Sequence, residues 1–201
     1  MMAMDGVLTL MLDGIWGRPR RFEGLLSMLR QRCGPAEIFH YDSSGAIDFE
    51  TLGMQLVDEI RRRDQPVNLI GFSMGGMVIR AAHLLDGKLP IHRAAFLNSP
   101  HHGTLLAHVL PIGGIRQMRP SDGFIQQLQN TAWTIPTLAT WCPCDTMIIP
   151  GRNAKWHRAQ ETICCAVPIH TWPIFSRSIW RRVVEFMAVD SNLPARVGVR
   201  E

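Results

Sequence analysis

The chain has 201 residues, of which 46% are hydrophobic and 19% charged, with a formal net charge of +4. That is enough apolar material for one packed domain, and it excludes a disordered or fibrous chain. The cationic surplus sits in residues 101–201, with 10 basic and 6 acidic side chains, yet no dense basic stripe interleaved with aromatics accompanies it, so no nucleic-acid partner is expected.

Residues 6–12 (GVLTLML) read as a buried strand. This apolar start lacks a basic leader region and is bracketed by Asp5 and Asp13, so it reads as a core strand, not a signal peptide. Residues 22–32 have helical spacing, with Leu25, Leu26 and Leu29 on one face, and 36–41 read as the next strand. A helix over 49–63 turns Leu52, Leu56, Val57 and Ile60 inward and closes on Arg61, Arg62 and Arg63, where cations favour a helix C-terminus. A strand over 66–72, a helix over 74–85 and a strand over 91–98 follow. Strands over 137–142 and 162–167 and a closing helix over 176–188 complete the pattern. The stretch 104–136 breaks the rhythm, with Pro111, Gly113, Gly114 and Pro120. Two readings of it stand: a cap or lid insertion, or a helix with irregular flanks packed on the sheet.

Alternation of strands and helices predicts a mostly parallel α/β sheet with helices on both faces, in a single domain over 1–201. Right-handed crossovers gather the C-terminal ends of such strands along one edge, where ligands bind. Functional residues are therefore expected just after strands.

Gly71-Phe72-Ser73-Met74-Gly75 is a G-x-S-x-G between a strand and a helix. A serine on so sharp a turn projects its hydroxyl from the sheet edge, and the turn is tight enough to require small residues two positions to either side. A serine hydroxyl is a weak nucleophile and needs a base that is itself oriented by an acid. Asp145 and His170 both follow predicted strands, in CPCDTMIIP and PIHTWPIF, in the order Ser, acid, His. Among the 8 histidines, His40 precedes Ser73, His83 and His92 lie in a helix and at a strand start, and His157 precedes the last strand. His101 and His102 follow a strand and are candidates to shape the pocket. Two N–H groups are expected to hold an oxyanion: that of Met74, after the serine, and that of Ile15, in the loop Leu12-Asp13-Gly14-Ile15-Trp16-Gly17.

With these residues in place the chain resembles the small bacterial lipases and esterases of the α/β-hydrolase superfamily, from about residue 7 to 187. GFSMGG resembles the nucleophile elbow, LNSPHHGT the block after the following strand, and QMRPSDGFIQQL the segment before the next strand. WCPCDTMIIP and VPIHTWPIF resemble the acid and histidine blocks. One departure stands out: where the family usually reads His-Gly in the oxyanion loop, this chain reads Asp13-Gly14. The resemblance implies an α/β-hydrolase fold with a minimal or small cap, and hydrolysis of a small-molecule or lipid ester through an acyl-serine, with no metal or cofactor. A thioesterase would use the same machinery. A non-catalytic hydrolase-fold protein that binds a lipid or signal molecule is the reading from another class.

The five cysteines form a CxC and an adjacent pair, Cys142, Cys144, Cys164 and Cys165, with Cys33 apart. Paired CxxC spacing is missing, so they read as reduced, free, buried thiols of core strands and not as zinc ligands. An odd count and no visible leader point to a reducing, cytoplasmic setting. No apolar run reaches the ~20 residues of a membrane span.

Overall fold

Strands buried on both faces need apolar side chains at successive positions, and this chain supplies them. A computed structural model describes residues 6–110 and 112–188; the ends of the single-domain reading, 1–5 and 189–201, and Pro111 of the proposed insertion lie outside the described residues. The strands are β1 (Leu8–Leu12), β2 (Ala36–Ile38), β3 (Val67–Phe72), β4 (Ile91–Leu97), β5 (Thr137–Trp141) and β6 (Glu161–Cys164). They form one sheet in the order β2-β1-β3-β4-β5-β6, and every neighbouring pair is parallel. The helices are α1 (Glu23–Arg32), α2 (Phe49–Arg63), α3 (Met74–Leu85), α4 (Gly113–Gln117), α5 (Gly123–Asn130) and α6 (Arg177–Met187).

The period of two along each strand divides the interior. Leu8, Leu10, Leu12, Val67, Leu69, Ala94, Phe96 and Ala139 face one core, shared with α2, α3 and α5. Met11, Ile70, Phe72, Ala95, Leu97 and Leu138 face the other, closed by α1 and α6. Helix limits follow local chemistry. Asp48 caps α2 by accepting the Thr51 N–H at 2.7 Å, and Asp122 caps α5 by accepting the Phe124 N–H at 3.0 Å.

The long segment between β4 and β5 resolves into two parts. The C-terminal part is the packed helix: Phe124, Ile125 and Leu128 of α5 lie in the core, and the Phe124 ring stacks on Phe49 with centroids 4.9 Å apart. The N-terminal part is a 3-10 turn over Leu105–His108 followed by α4. Two strands end three residues short of the predicted pattern. β2 stops at Ile38, because beyond Phe39 the chain turns so that the Tyr41 hydroxyl meets the Asp13 carbonyl. β6 begins at Glu161 and ends at Cys164, short of 167. Among the described residues, no helix is long and apolar enough to cross a membrane.

Removing a buried phenyl ring that stacks in the core costs about 3–5 kcal/mol. Phe124→Ala should lower unfolding free energy toward the lower end of that range, since a trace of its surface is exposed, and urea denaturation checks it. A loss below about 1 kcal/mol would mean that α5 is not part of the core.

Candidate active site

Ser73 stands between the end of β3 and the start of α3 with φ 51° and ψ −118°, a backbone conformation that a side chain with a Cβ rarely adopts. Such strain costs on the order of 1–3 kcal/mol and persists only when the surroundings hold it. Here the Ser73 N–H donates to the Leu97 carbonyl at 2.9 Å, and its own carbonyl accepts the Gly76 N–H at 3.1 Å. The glycines have no room for a side chain. A Cβ on Gly71 would lie 2.5 Å from the Gly76 Cα, and one on Gly75 would overlap the carbonyls of Leu12 and Asp13.

The structure brings Asp145 and His170 to this serine. The His170 Nε2 is 2.8 Å from the Ser73 Oγ, and its Nδ1 is 2.9 Å and 3.0 Å from the two Asp145 carboxylate oxygens. A carboxylate only accepts, so Nδ1 carries the proton and Nε2 presents its lone pair to the hydroxyl. All three residues are buried. Asp145 is held by the N–H groups of Met147 and Ile148 at 2.7 Å and 2.9 Å, and by the Asn98 amide at 3.3 Å. That amide also donates to the His170 carbonyl at 3.1 Å, while its oxygen accepts the Thr140 hydroxyl at 2.9 Å. The Phe72 ring packs beside the imidazole, centroid to centroid 5.1 Å.

The loop after β1 lies against the serine: a Cβ on Gly14 would be 2.9 Å from the Ser73 Cβ. Among the described residues, the N–H groups of Ile15 and Met74 have no acceptor in the protein. The Asp13 carboxylate turns back into its own loop, onto the N–H groups of Gly14 and Arg18 at 2.6 Å and 2.7 Å and onto the Arg21 guanidinium.

No protein-family model and no curated protein sequence matches this chain. Its structure is similar to many solved ones. Against the propeptide form of the Bacillus licheniformis lipase BlEst2 the TM-score is 0.70 at 15% identity, covering 96% of this chain and 53% of that one. The mature form of that lipase gives 0.65 at 15% identity, covering 90% and 93%. A Paleococcus ferrophilus monoacylglycerol lipase gives 0.62 at 12% identity, covering 91% and 96%. The chain thus spans about half the length of the propeptide form and nearly all of the mature one. It has the α/β-hydrolase fold.

Within this α/β-hydrolase fold five other histidines pack against partners of their own. His101 is wholly buried between Phe96 and Trp156, and burial, reinforced by the Arg80 cation, holds it well below the ordinary imidazole range. His102 stacks on His157 with centroids 6.1 Å apart. His83 meets the Ala132 carbonyl and His92 the Asn68 amide. The segment after β4 does border the site. Thr104 and Leu105 bond to Met147 and Ile149 beside Asp145, and Ile115 of α4 and Ile15 both touch Gly45. A groove of about 570 Å³ between β6 and α6, lined by Ile163, Ile179 and Arg182 among others, contains none of these residues.

Sequence reasoning missed Asn98, Phe72, Arg21 and Tyr41 as parts of the site. Asn98 and Phe72 left a signal, since the first follows a strand at the sheet edge and the second lies within the G-x-S-x-G.

The thiols divide in a way the sequence did not suggest: Cys33, Cys142 and Cys165 are buried, but Cys144 and Cys164 are exposed. Burial raises the thiols of Cys33, Cys142 and Cys165, the last to about 11, and so depletes their reactive thiolate near neutral pH. Iodoacetamide at pH 8 should therefore alkylate Cys144 and Cys164 in the folded protein and the other three only after unfolding, as read by peptide mass spectrometry. Two unreactive thiols at 144 and 164 would point to a disulfide or a bound metal.

Proposed function

We propose that this hydrolase cleaves carboxylic esters through an acyl-serine intermediate. The observation that carries the reading is the unbroken hydrogen-bonded line from Ser73 through His170 to Asp145, at 2.8 Å and 2.9 Å. In the first half-reaction His170 takes the Ser73 proton as the oxygen attacks the acyl carbonyl, and Asp145 stabilises the resulting imidazolium. The N–H groups of Met74 and Ile15 receive the negative oxygen of the tetrahedral intermediate. His170 then hands its proton to the leaving alcohol, and water repeats the cycle on the acyl-enzyme.

Removing one member of such a unit costs about as much as removing all. Ser73→Ala should reduce hydrolysis of p-nitrophenyl butyrate to near background with unchanged melting temperature, and His170→Ala should lose as much activity. Asp145→Asn should cost on the order of 10⁴ in turnover by favouring the wrong tautomer. A fluorophosphonate probe should label Ser73 in the wild type alone. Absence of labelling would favour the non-catalytic binding protein.

The acyl group has an apolar border to lie against. Trp16 and Leu105 expose their side chains in the oxyanion loop and in the segment bonded to Ile149, Val109 and Leu110 are exposed just after Leu105, and each buried methylene contributes about 0.8 kcal/mol. The segment is too short to enclose a long chain. kcat/KM should rise from acetate through butyrate or hexanoate esters and then level or fall, with no jump above substrate solubility. A rate that climbs only with long chains in emulsion would indicate a closing lid.

A further inference from the structure

We infer that Asp13 and Arg21 form a positioning device for the oxyanion loop, a role that rests on the proposed reaction. The Ile15 N–H can serve only if residues 13–17 keep their shape, and no regular secondary structure holds them. Asp13 supplies what is missing. One carboxylate oxygen accepts the Gly14 N–H at 2.6 Å and the other accepts the Arg18 N–H at 2.7 Å, so a single side chain closes the loop at both ends. Gly17 lies against that side chain with no room for a Cβ. The backbone is pinned from outside as well: the Tyr41 hydroxyl donates to the Asp13 carbonyl, and the Trp16 N–H donates to the Ser43 carbonyl at 2.8 Å, which holds Trp16 at φ 51°.

Asp13 is buried, and a buried carboxylate needs a partner. Arg21 provides a forked one, with Nε 2.9 Å and 3.0 Å from the two oxygens and Nη2 on the same carboxylate. The same guanidinium lies over the Phe72 ring, 5.4 Å from its centroid, and Phe72 is the ring that packs beside His170. One cation thus touches both halves of the machinery: the loop that would receive the oxyanion and the aromatic wall of the base. Neither residue contacts the reacting atoms, so both act by placement. In this chain an ion pair does the work of holding a loop where the resembling family carries a histidine.

The test is the split between kcat and KM. Loss of one oxyanion donor costs on the order of 10²–10³ in kcat, and displacing one should cost a part of that. Asp13→Asn and Arg21→Gln should each lower kcat about 10- to 100-fold on p-nitrophenyl butyrate, with KM within about threefold. A boronic acid that adds to Ser73 should lose affinity in parallel, because its adduct needs the same N–H donors. The double variant should be no worse than the poorer single one, since the two residues act as one unit. Arg21→Lys, which keeps the charge and loses the fork, should fall between and carries the test if the others do not fold. Unchanged kcat in folded variants overturns the positioning role, as does a rise in KM with kcat intact, or additive losses. A wild type that neither turns over ester nor reacts with a fluorophosphonate at Ser73 overturns the underlying reading instead, and this role with it.

Discussion

Everything at the sheet edge depends on one backbone constraint, the positive φ of Ser73. With an ordinary extended or helical φ at this position, the hydroxyl would fall into the sheet or along α3. The conformation survives because the turn is locked on three sides: by Leu97 of the neighbouring strand, by Gly76 one turn into α3, and by the carbonyls of Leu12 and Asp13. Those carbonyls can approach only because residue 75 is glycine. The small residues of the motif are thus the means by which two other loops reach the serine.

The parallel sheet does the gathering. Ser73, Asp145 and His170 are separated by 97 residues from first to last, yet each follows a strand that ends on the same edge. Central strands apolar on both faces fix that edge, and a fixed edge can hold the hydrogen-bond distances near 2.8 Å. Burial then imposes its own requirement. A carboxylate under the sheet edge must have its lone pairs filled, which explains why the chain after Asp145 turns back to offer two N–H groups and why Asn98 is present.

Most of this was legible in the sequence because it is written in short range. The extents of α2 and α3 follow from a run of helical spacing and a G-x-S-x-G, both local signals. The juxtaposition of Ser73, His170 and Asp145 was legible for a related reason: chain order and strand ends point to it. The rest depends on pairings that no spacing encodes. Nothing around Arg21 distinguishes it from Arg18 or Arg20, and only the folded loop shows which guanidinium meets Asp13. Asn98 reads as a turn former, and its positive φ is that of a turn; its amide becomes informative only when β5 and the segment after β6 come alongside. The packing of 104–136 was likewise open, because helical spacing in a short segment does not say what the apolar face will meet, and Ala107, Ile115 and Met118 join the core as α5 does.

The two buried aspartates of this edge show how partners, and not residue type, assign a role. Asp13 faces a guanidinium that is always charged, so its own charge is spent locally and the pair serves as a fixed strut. Asp145 has no arginine or lysine within ion-pairing reach among the described residues; its donors are neutral N–H groups and the imidazole of His170. Neutral donors fill its lone pairs without setting a counter-charge beside it. In the proposed reaction a positive charge appears on His170 only while the proton from Ser73 rests there, and Asp145 is the group whose charge is free to meet it. Were Arg21 and Asp145 neighbours, the guanidinium would cancel the charge that the proposed reaction asks of Asp145. The sheet keeps them apart by bringing Asp13 in after β1 and Asp145 after β5, on opposite sides of the strand that carries the serine.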